Sequence, residues 1–323
     1  MTLRARYPAW IGAAVLAVHA AGMAAPKPPA KAAASKAPTH QQFGVIGHSF
    51  AQPGGEARLE KSLSKTRDGA LSFVVATGVK AASEPCSDAL YTRRRDIFDD
   101  ARAPVIVVPA ASDWADCKNA AGRRDGIDRL NRLRELLYAE PRALGKKPLM
   151  LARQSVNRKF RSYAENAYWI AGNVLYATVN IPSNNNHYRP EAGRNSEFED
   201  RAVANRFWLN RLFALAKRRK FEALVLFSEG NLGILSEEPG ILARFGRSAP
   251  TQQDGFALPR RQIVNMAAKF TGKVLLVDTA PVANGSEPVI AWRANLGHVS
   301  IGSRVVHVHV TPQSEPLFRI EQP

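Results

Sequence analysis

The sequence predicts an α/β protein, and three observations carry that expectation. Short β-rich apolar runs alternate with amphipathic helical segments along the whole chain. The early strand-like runs each end in a loop of small residues: Gly47-His48, Gly78-Val79-Lys80 and Ala110-Ala111-Ser112-Asp113. No break in composition and no internal repeat marks a second folded domain among the 323 residues. An apolar fraction of 45% is ordinary for a globular chain and supports a sizeable core.

The elements follow in order. "FGVIGHSF" (43–50) reads as a strand entering a loop, and "GGEARLEKSLSKT" (54–66) as a helix with Leu59 and Leu63 one turn apart. "LSFVVATGV" (71–79) is a second buried strand. "SDALYTRRRDIFDDAR" (87–102) starts on an N-cap serine and continues as a helix. "APVIVVPA" (103–110) is a third strand. "GIDRLNRLRELLYAEP" (126–141) spaces Ile127, Leu130, Leu133, Leu136 and Leu137 along one helical face. "AYWIAGNVLYATVNIPSNNN" (167–186) holds two strand-like runs around Gly172-Asn173, a hairpin signal. "EFEDRAVANRFWLNRLFALAKRRK" (197–220) is a long helix with basic residues in its last turn. "FEALVLFSEG" (221–230) and "GKVLLVDTA" (272–280) are buried strands. "SRVVHVHVTP" and "PLFRIEQ" close the chain as edge or antiparallel strands.

The start of the chain has the layout of an export signal. "MTLRARYPAW" is basic, "IGAAVLAVHAAGMA" is apolar and too short to span a bilayer comfortably, and small residues surround a cleavage point after Ala24. Residues 1–24 are therefore expected as a signal peptide. The Pro-, Ala- and Lys-rich stretch 25–41 is expected as a disordered linker, and 42–323 as the folded domain. A periplasmic or secreted location follows, with no transmembrane segment in the mature chain.

The formal net charge is +17. Setting aside Arg4, Arg6, Lys27, Lys31 and Lys36 leaves +12 for the domain. Such a balance serves solubility, or attracts an anionic small molecule or an envelope polymer; nucleic acid is the least expected partner. Two cysteines, Cys86 and Cys117, form an even set in an exported chain and are expected to pair. Neither sits in a CxxC pair, which argues against zinc.

"KAASEPCSDALYTRRRDIF", "VPAASDWADC", "DRLNRLRELLY", "LARQS" and "YAENAYWIAGNVLYATVNIPSNNN" resemble a bacterial exported branch of the calcineurin-like metallophosphoesterases. The resemblance runs from about Phe43 to Pro323. It implies a four-layer αββα sandwich with a dinuclear divalent metal site, whose bound hydroxide attacks a phosphate ester. This chain departs from the family pattern at nearly every ligand. His48 stands where an acidic ligand follows the first strand. Gly78-Val79 replaces Gly-Asp, and Ala110-Ala111-Ser112-Asp113 replaces Gly-Asp-Asn-Asp, so that only Asp113 survives. Asp278-Thr279 replaces a histidine loop, and Ser228-Glu229 also supplies no histidine.

The expected site is thus vestigial, with His48, Asp113 and Asp278 as its remnants, no metal and no other cofactor. Asn184, Asn185 and Asn186 are expected either to contact phosphate oxygens or to cap their own turn. His307 and His309 alternate on a strand and read as a polar face, and 216–220 reads as a solvated helix end. The expected function is a metallophosphoesterase-like protein that binds an anionic or phosphate-containing ligand without hydrolysing it. The alternative is a divergent phosphoesterase with reduced metal use and His48 in the site. A weaker third option is a basic envelope-binding protein whose fold is incidental to its charge.

Overall fold

A computed structural model describes residues 40–51, 55–65, 71–190, 195–236, 253–283 and 285–323. The expected signal peptide and nearly all of the expected linker lie outside them. The chain is mixed α/β, built on two mixed sheets.

The first sheet is formed by β1 (Gln41–Ile46), β2 (Leu71–Thr77), β3 (Val105–Val108), β11 (Val305–Val310) and β12 (Phe318–Glu321), in the order β12-β11-β1-β2-β3. β1, β2 and β3 are parallel to one another, whereas β11 runs antiparallel to both β1 and β12. The second sheet contains β4 (Ala152–Arg153), β5 (Ala167–Ala171), β6 (Val174–Thr178), β7 (Ala223–Phe227), β8 (Lys273–Asp278), β9 (Ala291–Arg293) and β10 (Leu296–Ser300), in the order β4-β5-β6-β7-β8-β10-β9. β6, β7, β8 and β10 are parallel. β5 and β6 make the hairpin expected from Gly172-Asn173, with Ala171 opposite Val174.

The alternation of side chains along each strand sorts three cores. One face of the first sheet (Phe43, Phe73, Val75, Ile106, Val306, Val308) meets one face of the second (Trp169, Tyr176, Val225, Phe227, Leu275, Val277) in a shared buried cluster. Phe73 forms its centre, with its ring 4.8 Å from Tyr176 and 5.1 Å from both Phe43 and Trp169. The other face of the first sheet carries Ile46, Val74 and Val107 into a second cluster. There it packs on α1 (Gly55–Lys65), α2 (Asp88–Asp99) and α4 (Gly126–Leu137), through Leu59, Tyr91, Phe98, Leu130 and Leu133. The outer face of the second sheet packs on α5 (Ser196–Arg219) and α6 (Ala257–Ala267), through Trp208, Leu212, Phe213 and Ile263. The layer order is therefore helices, sheet, sheet, helices.

α2 starts where the sequence places it. Ser87 is the N-cap, and its hydroxyl accepts from Leu90 N–H. α5 ends on Lys220, a left-handed C-cap, with Lys217, Arg218 and Arg219 exposed in its last turn. Val306, Val308 and Val310 are fully buried on β11, leaving His307 and His309 on the opposite face as the alternation requires. β10 and the short strands β4 and β9 are absent from the sequence reading.

Cys86 and Cys117 form the expected disulfide, with Cα atoms 5.8 Å apart, and tie the start of α2 to the loop after α3 (Ala111–Trp114). Among the described residues no helix is long and apolar enough to cross a membrane.

Candidate functional site

The carboxyl ends of strands from both sheets open onto one cleft of about 500 Å³. His48 follows β1, Lys80 follows β2 and Ser112 follows β3. From the second sheet, Ser183 comes after β6, Glu229 after β7, Thr279 after β8, and Ile301 to Arg304 after β10. The two sheets approach closely here. A Cβ on Gly47 would overlap the Gly302 carbonyl oxygen, and Gly47 N–H donates to Arg304 O at 2.9 Å. Gly78 has φ +82° and sits where a Cβ would meet Ala110 Cβ at 3.3 Å.

Asp113 is fully buried and braces the loops after β2 and β3. Its Oδ1 accepts from Val79 N–H at 2.9 Å and Lys80 N–H at 3.1 Å, and its Oδ2 accepts from Ala110 N–H at 2.7 Å. Burial pushes its carboxyl up to about 6 against the pull of those three donors and of Lys80.

Glu229 does for the second sheet what Asp113 does for the first. Its Oε2 accepts from Ala111 N–H at 2.7 Å and from Ser183 N–H at 2.8 Å, and its Oε1 accepts from Ser183 Oγ at 2.9 Å. One carboxylate thus joins the ends of β3, β6 and β7. Burial raises it to about 7, with the Asp113 charge adding to the rise and the three donors opposing it.

His48 Nε2 lies 3.1 Å from Thr279 Oγ1 and 3.6 Å from Glu229 Oε1. Burial lowers its pKa, so the imidazole is neutral at neutral pH. The Lys80 ammonium donates to Ala81 O at 2.6 Å and Ser112 O at 2.8 Å, and burial lowers its pKa while Asp113 opposes the drop. Arg304 Nη2 donates to Ala283 O at 3.2 Å. Its buried Nη1 has no hydrogen-bond partner among the described residues.

Of the remnants expected from sequence, His48 lines the cleft and Asp113 lies beneath it. Asp278 sits apart, on the face of β8 opposite Val277, which belongs to the inter-sheet core. It pairs with His298 at 2.6 Å and accepts from Ala280 N–H at 3.1 Å. The asparagines make a turn that is stapled to a neighbouring loop. Asn185 bonds Gln253 O and Gly255 N–H, and Asn186 bonds Gly255 O and the Arg201 guanidinium. Asn184 Nδ2 reaches His187 at 3.5 Å. None of the three lines the cleft.

Glu229, Lys80, Ser183, Thr279 and Arg304 are absent from the sequence-level site. Glu229 had a readable signal: an acid directly after the buried run "ALVLF", at the carboxyl end of a strand, where α/β folds place their sites.

A dinuclear metal site does not fit this donor set. Both oxygens of Asp113 and both oxygens of Glu229 already accept N–H or O–H bonds, and among the described residues His48 is the one imidazole on the cleft wall. Among the described residues no group of three or more His, Cys, Asp or Glu is arranged to hold an ion. The sequence matches no protein-family model, and no curated protein matches it.

Proposed function

We propose that this is an exported protein of metallophosphoesterase-like fold, acting in the periplasm or outside the cell, which binds an anionic, phosphate-containing ligand in the cleft. Hydrolysis through a metal pair is not part of this reading. The helix–sheet–sheet–helix order and the convergence of strand ends support the fold kinship.

One observation carries the functional reading. Asp113 and Glu229, the acids after β3 and β7, spend their oxygens on backbone N–H groups of neighbouring strand ends. Carboxylates brace the loops that the family braces with ions. The wall then presents Lys80, Arg304, His48 and the hydroxyls of Ser112, Ser183 and Thr279 to a ligand. Buried donors such as Arg304 Nη1 call for an acceptor.

Calorimetry with phosphate, nucleotides and anionic glycans at two salt concentrations tests the reading. Mutually competitive binding that weakens with salt is the expected result. Absence of heat with every anion would leave the positive charge as a solubility feature.

A second reading, a divergent phosphoesterase, draws on His48. A neutral imidazole 3.1 Å from Thr279 Oγ1 and beside Glu229 is a competent general base. Turnover of a phosphate ester that disappears in His48→Ala and persists in chelator would establish it.

A further inference from the structure

The cleft holds an acid where an anion is to bind, and this acid has one open position. A carboxylate offers about four lone-pair sites. In Glu229, Ala111 N–H and Ser183 N–H fill Oε2, and the Ser183 hydroxyl takes one site on Oε1. The remaining site on Oε1 is flanked by His48 Nε2 at 3.6 Å, too far for a hydrogen bond. Glu229 and His48 both line the cleft, as does Arg304, whose buried Nη1 has no hydrogen-bond partner among the described residues. An occupant that meets both sides of this wall accepts hydrogen bonds from the cationic residues Lys80 and Arg304 and donates one to Glu229.

We propose that Glu229 makes the cleft selective for oxyanions that bring a proton, inorganic phosphate and phosphate monoesters, over sulfate and sulfate esters. The anion's P–OH donates to the open lone pair of Glu229 Oε1, while its other oxygens accept from the cationic wall. This inference rests on the reading of the cleft as an anion site.

The chemistry is a matter of one shared proton. Two bare anions in contact in a buried site repel by several kcal/mol, whereas a proton between them converts repulsion into a charge-assisted hydrogen bond. Hydrogen phosphate keeps a proton well above neutrality. A phosphate monoester loses its second proton near pH 6 and takes it up again on binding. Sulfate has none to offer, so it depends on Glu229 carrying the proton. The titratable and charged groups around Glu229 are the neutral His48 after β1, Lys80 after β2, Asp113 after β3 and Arg304 ahead of β11. Burial holds the Glu229 carboxyl up at about 7, so its own proton is present in mild acid and lost in mild base. The discrimination is therefore a property of mildly basic solution.

Calorimetry of the intact chain with sodium phosphate and sodium sulfate, at matched ionic strength near pH 8 and near pH 6, is the test. Phosphate is expected to bind at least about tenfold more tightly than sulfate near pH 8, with the gap falling to about threefold or less near pH 6. In Glu229→Gln the amide presents an N–H donor to either anion, and the gap near pH 8 is expected to close through a gain in sulfate affinity. Circular dichroism checks that this variant folds; where it does not, the wild-type pH comparison decides alone. Equal affinities near pH 8, or a gap that persists near pH 6 or in the folded variant, would overturn the proposal while leaving the anion cleft standing. No binding of either anion at either pH would overturn the anion reading itself, and the proposal with it.

Discussion

Replacing Asp113 by alanine is the sharpest perturbation of the brace between β2 and β3. The side chain is fully buried and accepts three backbone N–H bonds, from Val79, Lys80 and Ala110. Alanine leaves all three donors without their side-chain acceptor. A buried donor left unpaired costs about 1–3 kcal/mol. Three donors sharing one acceptor relax together, so the expected loss is about 3–6 kcal/mol rather than the full sum. Asp113→Asn is the graded control. Its carbonyl still serves Val79 and Lys80, but its amide nitrogen faces the Ala110 N–H donor to donor, for a loss of about 1–3 kcal/mol. Urea unfolding followed by circular dichroism reads both losses as shifts in midpoint at constant slope. A loss below about 1 kcal/mol in Asp113→Ala would refute the claim that this carboxylate holds the loops together.

Three further outcomes follow from the same geometry. Native protein should show no labelled thiol without reductant, and Cys86→Ser should lower stability by roughly 3–4 kcal/mol by opening a loop with a sequence separation of 31; stoichiometric labelling of native protein contradicts the bridge. Gly78→Ala forces a Cβ onto a φ of +82° and should cost about 1–2 kcal/mol in the same urea assay, with no change telling against the tight approach of these loops. Because Glu229 has a folded pKa of about 7, above that of an unfolded glutamate, the native state binds the extra proton between about pH 4.5 and 7. Its contribution to stability is therefore present in acid and lost as pH rises through 7. In anion-free buffer the stability of wild type relative to Glu229→Gln should fall by roughly 3 kcal/mol from about pH 5 to about pH 8, and a flat difference would count against the buried, proton-binding carboxyl.

Much of the scaffold is legible in the sequence because it depends on local periodicity. The apolar runs at β2, β3, β7 and β8 reach the core as the pattern requires, and α4 buries Leu130, Leu133 and Leu137, whereas Ile127 at its start is 52% exposed. The hairpin at Gly172-Asn173 and the N-cap at Ser87 follow from turn and cap chemistry. β10 escapes because "LGHVS" is short and interrupted by a glycine and a histidine. Its place beside β8 is decided by pairing, and Gly297 is needed there because Trp292 lies over it. The site is less legible for a related reason. His48 and Asp113 stand out as residues at strand ends, but which acid faces the cleft depends on strand parity and on which loops come together. Asp278 ends a strand as Glu229 nearly does, yet parity turns it to the outer face, to His298. The asparagine run reads equally as a ligand site and as a turn, and only its bonds to Gln253, Gly255 and Arg201 show what its amides hold.

The alanines of the loop after β3 make physical sense together with the two acids. Ala110 lies against Gly78, so a larger side chain there would separate the loops that Asp113 joins. Ala110 and Ala111 each turn a backbone N–H toward a buried carboxylate, one to Asp113 and the next to Glu229. Consecutive peptide dipoles thus do the bracing. The consequence is electrostatic. A divalent ion would keep both carboxyls ionised at any pH near neutrality. Partial charges on N–H groups offset burial only in part, so both acids rise toward neutrality and remain open to protons. A cleft built in this way answers to pH where a metal-built cleft would answer to ion supply, because both of its bracing acids stay open to protons.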